Sequence, residues 1–454
     1  MLFALGTPHS PGSPGRSLVR RLPVRWWIVG MLFMGGIVNY LDRITLSIVA
    51  PLVRDEFGLS ASDYALVVNV FLVAYTFSYG FGGKLADFLG TRVSYYLTVT
   101  WWSIAACLHS LTQGLYSLCA YRFLLGLGEA GFFPTGVKAI SEWFHPRDRG
   151  KPVSIMLLGL GIGALLGPPV ISWLTLNVGW RAMFLITGLL GFLLLLPWTF
   201  IYRKPEEHPR LTEEEQEYLR ESAKAVQDDT GERMRVRDFL RYRGVWTVLG
   251  ARSLADGTWY FYLFWMPEYL MRERGFSMEM IGGLLWIPFL ANDLGLLLGG
   301  WISTSLIRRG LGIPKTRKVC MLGGTLLVPL GILVNTVTNP YLIILLMCVV
   351  FMAFAIWSVN VQTVATDLTE AHSVGTLFGM AGCAGTIGAV VVQSLIGRFI
   401  DMELYSLVFW LIGTLPLAAA LLMLTVPIRK LKHPGGSVSG NAGSVYPRET
   451  NDIE

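Results

Sequence analysis

Four ionisable residues lie inside apolar runs long enough to cross a bilayer: Asp42 and Arg43 in one, Arg122 and Glu129 in another. A charge at mid-membrane costs about 3 kcal/mol or more, so such residues pair with one another and face a polar cavity. Arginine presents a planar fork that grips a carboxylate through two hydrogen bonds and keeps its charge, whereas the two acids can take up protons. Together they suit a device that binds an anion and couples it to protons. Protonating an acid frees its arginine, and a carboxylate from solution can take the vacated place. Arg122 and Glu129 are two helical turns apart and share a face, with about 10 Å between attachment points; Asp42 and Arg43 point about 100° apart. If both segments line one cavity, Asp42 can meet Arg122 while Arg43 meets Glu129. The alternative is a set of salt bridges that only hold helices together, although a buried pair often stabilises no better than apolar packing.

Further polar and aromatic residues stand in apolar surroundings. Tyr40 precedes Asp42, and Tyr75 lies mid-run in the next segment. Trp259 and Tyr262 are three apart on one helical face with Tyr260 beside them; aromatic faces pack on the C–H side of a sugar and phenols reach hydroxyls. Trp265 and Tyr269, near Pro267, fit an interfacial aromatic belt. Asn360 and Gln362 suit a ligand rich in hydroxyls, or hydrogen bonding between helices. Asn292 and Asp293 fall in the middle of another run, where an aspartate is a functional suspect, with Arg252 as a candidate partner.

The elements that must position these residues are membrane helices. Of 454 residues 53% are hydrophobic and only 15% charged, with mean hydropathy +0.52; soluble domains carry about 25% charged residues. Runs of about 20 apolar residues, the length of a hydrocarbon core, recur. Twelve are expected, near 26–48, 64–87, 93–112, 116–139, 152–175, 181–202, 245–271, 280–304, 319–337, 340–365, 374–398 and 404–427. The net charge of +6 is not gathered into a nucleic-acid patch. It punctuates alternate loops, with Arg16, Arg20, Arg21 and Arg25 before the first run, Lys84 and Arg92 after the second, and Arg147, Arg149 and Lys151 after the fourth. Arg308, Arg309, Lys315, Arg317 and Lys318 follow the eighth, and Arg429, Lys430 and Lys432 the last. The positive-inside rule then places both termini in the cytoplasm. Residues 1–25 read as a flexible tail rather than a cleaved signal, because the following apolar run is too long for one. Residues 26–202 form one six-helix half, 203–243 a charged linker, 244–428 the second half and 429–454 a disordered tail. In the linker, Thr212 to Glu215 has capping-box spacing ahead of an amphipathic stretch, so a short surface helix is expected there. The five cysteines show no CxxC and the six histidines no ligand spacing; neither metal nor disulfide is inferred.

An internal echo supports the division. Gly82-Gly-Lys-Leu-Ala-Asp-Phe-Leu-Gly-Thr-Arg92 follows the second run, and Gly299-Gly-Trp-Ile-Ser-Thr-Ser-Leu-Ile-Arg-Arg309 follows the eighth. Repeated halves place substrate between them near the midplane. Glycines 159, 163 and 167, 295 and 299, and 375, 379 and 382 recur at three or four residues, a small-residue face on which helices approach and slide, or pack statically.

The Gly82–Arg92 segment resembles the signature loop of the major facilitator superfamily. Asn39-Tyr-Leu-Asp-Arg-Ile-Thr-Leu-Ser-Ile-Val-Ala-Pro51 resembles the first helix of its anion:cation symporters. Arg122-Phe-Leu-Leu-Gly-Leu-Gly-Glu-Ala-Gly-Phe-Phe-Pro134, with Glu142-Trp-Phe-His-Pro-Arg-Asp-Arg149, is similar to their fourth helix and its exit loop. Residues 259–270 and 286–290 look most like the hexuronate and aldonate carriers. The resemblance implies an all-α polytopic fold of twelve transmembrane helices in two pseudo-symmetric halves. It implies proton coupling at Asp42 and Glu129, and substrate binding or ion-pair exchange at Arg43 and Arg122. Tyr40, Tyr75 and Gln362 align with substrate-contacting positions. Gly83, Asp87 and Arg92 would form a conformational latch, with Asp87 accepting from a helix N-terminus and Arg92 pairing nearby. Leu160 and Gly382 stand where the aldonate members carry an amide and an asparagine, which argues against simple transfer of aldonate specificity. The expectation is a monomeric inner-membrane importer of a sugar acid, a hexuronate such as glucuronate or galacturonate, with protons as coupling ion and no other cofactor. The alternatives are another anion (aldonate, tartrate, sialic acid or an aromatic carboxylate) or an antiporter or exporter. No nucleophile–base or metal constellation suggests an enzyme.

Overall fold

The structure is a computed structural model that describes residues 23–209, 211–227, 234–369, 371–426 and 428–431, with the side chains of 79–83, 226–227 and 371–372 left out. The N-terminal tail up to residue 22, the tail from Lys432, and part of the linker lie outside the described residues. The same holds for the basic residues Arg16, Arg20 and Arg21.

The described residues form twelve long helical rods, joined by short turns except at the linker between the sixth and seventh. In the first half they are Val24–Phe57, Ala61–Leu89, Thr91–Leu108, a fourth broken into Leu115–Glu129 and Phe132–Trp143, Gly150–Val178 and Trp180–Ile201. The second half begins with a broken rod, Arg243–Phe264 and Met266–Arg274, and a second broken one, Met278–Leu284 and Trp286–Arg308. It continues with Ile313–Thr325 extended by a 3-10 stretch Val328–Asn335, then Pro340–Leu368, Ala371–Asp401 and Tyr405–Leu424. Among the described residues, nine segments are both long and apolar enough to cross a membrane. The third, fourth and seventh rods fall short of that measure. The fourth carries Arg122 and Glu129, and the seventh Arg252 and Asp256.

Local chemistry sets the ends. Gly58 takes a left-handed φ of 62° and stops the first span, and Ser60 with Asp63 forms a capping box that starts the second; a Cβ at Gly58 would strain that turn. Glycines bring rods together inside each half. A Cβ at Gly159 or Gly163 of the fifth span would lie 2.2 or 2.6 Å from the carbonyl oxygens of Phe33 or Ile37 in the first. One at Gly295 of the eighth span would lie 2.6 Å from the Met352 oxygen of the tenth. These stripes therefore set static packing within a half. Gly375 and Gly379, expected to belong to a helix-contact face, instead meet open space.

Between Arg203 and Arg243 the linker carries the helix Glu213–Gln227. Glu215 accepts a hydrogen bond from the Val24 amide at 2.9 Å, Tyr218 donates to Asp148 at 2.9 Å, and Arg25 lies over the Tyr218 ring at 4.1 Å. The linker helix is thus docked on the start of the first span and the exit of the fourth.

The halves meet at the end of the bundle opposite this linker. Asp401 accepts from the Ala61 and Ser62 amides at 2.7 and 2.9 Å, and Tyr64 donates to the Phe264 carbonyl at 2.9 Å. Deeper in, Asn69 donates to Ser394 at 2.8 Å and Thr76 to Thr386 at 2.5 Å. Glu268 joins Arg54 to Arg272, and Arg272 reaches Asp55 at 2.5 Å. Among the described residues no hydrogen bond or ion pair joins the two halves nearer the linker, and glycines 375 and 379 are uncovered there, so the molecule is closed at the far end and open at the linker end. Trp265 and Tyr269 belong to this closure. Trp265 is buried and donates to Gln393 at 2.7 Å, and Tyr269 is buried and bonds Asn335 at 3.1 Å. They are not an interfacial belt facing lipid, because the broken seventh span turns them inward.

Candidate functional site

The first span delivers Asn39, Tyr40, Asp42 and Arg43 to the middle of the bundle, and the break in the fourth span leaves Glu129 as the last residue of its upper segment. Gly126 makes that approach possible, since a Cβ there would lie 2.6 Å from the Phe71 carbonyl oxygen. Arg43 Nε donates to Glu129 Oε2 at 2.8 Å, and Nη2 reaches the Asn39 amide oxygen at 3.3 Å. The guanidinium sits 4.7 Å from the Tyr75 ring centre and 5.3 Å from that of Tyr40, a geometry in which ring faces attract a cation.

The other expected pair is not made. Asp42 and Arg122 are each 2% exposed, yet Arg122 Nη1 donates to the Arg43 carbonyl at 3.3 Å while its Nε and Nη2 find no partner among the described residues. Asp42 faces Thr187 of the sixth span, and neither of its oxygens completes a hydrogen bond among the described residues. The physical reason is the 100° step between neighbouring helical residues: with Arg43 turned to Glu129, Asp42 is rotated into the interior of its own half. Glu129 Oε1 is also without a partner among the described residues.

A cavity of about 170 Å³ lies beside this group. Tyr75 and Thr76 line it from the first half; Arg252, Asp256, Tyr260, Gln362, Gly382 and Thr386 line it from the second. Tyr260 stacks parallel to Phe264 and lies in the fields of both Arg43 and Asp256. Gln362 donates to Ser358 at 3.0 Å. The chamber therefore offers two phenols, two threonine hydroxyls and the Gln362 amide among apolar side chains, beside a guanidinium already held by an acid, an arrangement that can bind a polyhydroxylated anion.

The remaining sequence candidates divide. Trp259 packs in an aromatic group, 6.1 Å from Phe354 and nearly parallel to it, and its indole faces the Tyr40 hydroxyl. Tyr262 is placed outside the chamber, because it points to the other side of the seventh span. Its ring packs on Phe351 at 5.1 Å, and a Cβ at Gly331 would lie 2.5 Å from its hydroxyl. Asn360, two residues from Gln362, is turned roughly 200° from it; it is buried and bonds the Ile356 carbonyl at 2.9 Å. Asn292 donates to Asp293 at 3.3 Å, and the Asp293 carboxylate abuts Gly161 of the fifth span, where a Cβ would come within 2.8 Å. Arg252 is not the partner of Asp293, because it is engaged by Asp256, one turn away, at 2.7 Å. The signal for the Arg252–Asp256 pair is its i,i+4 spacing in an apolar run.

At the signature loop Asp87 meets the Lys138 ammonium at 2.8 Å rather than a helix N-terminus, and Arg92 donates to the Thr199 carbonyl at 3.0 Å. Lys138 takes Asp87 within the same half, so among the described residues neither Asp87 nor Arg92 is bonded to the other half at this open end. Gly83 is helical backbone, and its surroundings fall outside the described residues.

Two six-helix halves around a charged chamber closed at one end are the architecture of a membrane transporter. The chain belongs to the Major Facilitator Superfamily, which it matches over residues 32–393. It is 29% identical to the hexuronate transporter of Escherichia coli K12 across 89% of this chain and 94% of that protein. It is 30% identical to the galacturonate transporter of Dickeya chrysanthemi across 71% of this chain and 94% of the other. The crystal structure of a D-xylose-proton symporter superposes with a TM-score of 0.70 at 18% identity, covering 89% of this chain and 99% of that one. The protein is a multi-pass membrane transporter and not an enzyme.

Proposed function

We infer that this transporter imports a sugar acid, foremost a hexuronate such as galacturonate or glucuronate, together with protons. The observation that carries the reading is Arg43 held by Glu129 at the edge of a chamber lined by Tyr75, Tyr260 and Gln362. Protonating Glu129 releases Arg43, whose fork then accepts the substrate carboxylate; the phenols and amide take the hydroxyls. Asp42, buried without a completed hydrogen bond among the described residues, is the second proton acceptor. One carboxylate with one proton moves no net charge, while a second proton adds about 2.3 kcal/mol per 100 mV of membrane potential. With the linker and both termini in the cytoplasm of a cell carrying this protein in its inner membrane, the open end is the inner one. The names and extent of the two relatives support the substrate class.

Purified protein in liposomes with an acidic outside should accumulate labelled galacturonate, and a protonophore should abolish the accumulation. Uptake indifferent to the pH gradient, or absent for every sugar acid, would overturn the reading.

A further inference from the structure

A second concave feature lies outside the chamber, at the linker end of the second half, where the ninth span starts and the twelfth stops. A groove of about 460 Å³ is lined there by Lys315, Lys318, Val319 and Leu322 of the ninth span and by Leu424 and Arg429 at the exit of the twelfth. Three of its lining residues are cations, none is an acid, and the rest are apolar. Lys315, Lys318, Val319 and Leu322 follow helical spacing, so they share one face, with the two ammonium groups nearer the helix start and the apolar side chains deeper. Val319 and Leu424 are 48% and 37% exposed on two segments apolar enough to cross a membrane, so this lower wall meets hydrocarbon. The groove is held in shape. Lys318 Nζ donates to the Leu424 carbonyl at 2.9 Å and joins the two spans. Beyond the twelfth span Ile428 is buried and the Leu431 amide donates to the Leu368 carbonyl at 2.8 Å, which pins the stretch that carries Arg429.

We propose that this groove binds an anionic phospholipid, its phosphate held among Lys315, Lys318 and Arg429 and one acyl chain laid along Val319, Leu322 and Leu424. Charge and polarity select that occupant together. An ammonium has three donors, of which Lys318 spends one on the Leu424 carbonyl and keeps two for phosphate oxygens. Basic pockets between membrane helices hold phosphate-bearing lipid heads in this way, and each cation beside such a head counts for severalfold in affinity. A free phosphate would leave the apolar wall unused, and a soluble protein partner would have to enter hydrocarbon to reach Val319 and Leu322. The bound lipid bridges the ninth and twelfth spans. It shares no lining residue with the chamber, so lipid binding can be read without reference to transport.

The test titrates the full chain, purified in a neutral detergent, with phosphatidylglycerol or with phosphatidylcholine of the same acyl chains, and counts bound lipid by native mass spectrometry. Phosphatidylglycerol should bind about tenfold more tightly or better, the combined effect of three cations on one phosphate. Lys315→Gln combined with Arg429→Gln should cut that preference to about twofold. Lys84→Gln combined with Lys151→Gln, which removes two exposed cations from the first half, should leave it unchanged. If the groove double variant does not fold, Lys315→Glu alone reads the same ratio and should lower it severalfold, since it sets a like charge against the phosphate. Glycerol phosphate and inorganic phosphate should fail to displace the lipid, because neither covers the apolar wall. Displacement by either would make this a free-anion site and overturn the proposal. So would a preference absent from the unaltered protein, one that survives the groove substitutions, or one lost equally in the first-half control.

Discussion

The two halves of this molecule bury charge in opposite ways. The first half holds Asp42, Arg43, Arg122 and Glu129 with much of their bonding capacity unused: both Asp42 oxygens, one Glu129 oxygen and two Arg122 nitrogens find no partner among the described residues. The second half carries Arg252 and Asp256, a compact pair on one helix and partly open to the chamber. Orphaned groups in a low-dielectric interior are expensive to keep, and they are the ones poised to change partner. A satisfied pair at a cavity wall is a fixed point. The contrast separates a half whose charges are poised to change partner from one whose cavity-wall pair is already matched.

The sharpest way to break that contrast is Glu129→Gln. It should lower gradient-driven accumulation by at least about a hundredfold, the scale expected when one partner of a buried pair is removed, yet leave counterflow exchange measurable. Loss of both activities in a folded protein would make the first-half charges merely structural. Arg43→Lys comes next. Replacing a fork by a point charge forfeits a charged hydrogen bond worth about 1.5–3 kcal/mol, so the apparent affinity for galacturonate should fall about 10- to 100-fold in competition assays. A smaller shift concerns the closed end. Glu268→Gln releases Arg54 and Arg272 from their shared carboxylate, and Arg272 keeps Asp55. Spin labels at Gln113 and Glu403, exposed loops of the two halves at that end, should show the longer-distance population rising about tenfold, equivalent to about 1.4 kcal/mol. Unchanged distances would mean the closure rests on the Asp401 caps and the second–eleventh span contacts instead. The least effect is expected from Asp87→Asn. Its exposed pair with Lys138 is worth about 0–1 kcal/mol, so the melting temperature in detergent should barely move. A large fall in transport rate would place its action in the state closed at the linker end.

Much of this was legible in the chain. Apolar runs separated by basic loops gave the span count, because hydrocarbon thickness permits few solutions. The linker helix follows from a Thr-x-x-Glu pattern that acts locally, whereas the fourth span breaks after Glu129 within what reads as one run, 116–139. The Arg43–Glu129 pair was also foreseeable, since both residues needed a counter-charge and could meet if their two segments lined one cavity.

What the sequence by itself determined was which residues had to be sheltered from lipid, for burying a charge is costly wherever it occurs. Only the tertiary structure decided who shelters whom. It turned Asp42 from Arg122 towards Thr187, gave Arg252 to Asp256 rather than to Asp293, sent Tyr262 behind the seventh span, and drew Trp265 into a seam between halves. Those outcomes depend on the rotation of each helix about its axis and on glycines that let one backbone approach another, and neither is written in hydropathy or spacing along a single chain.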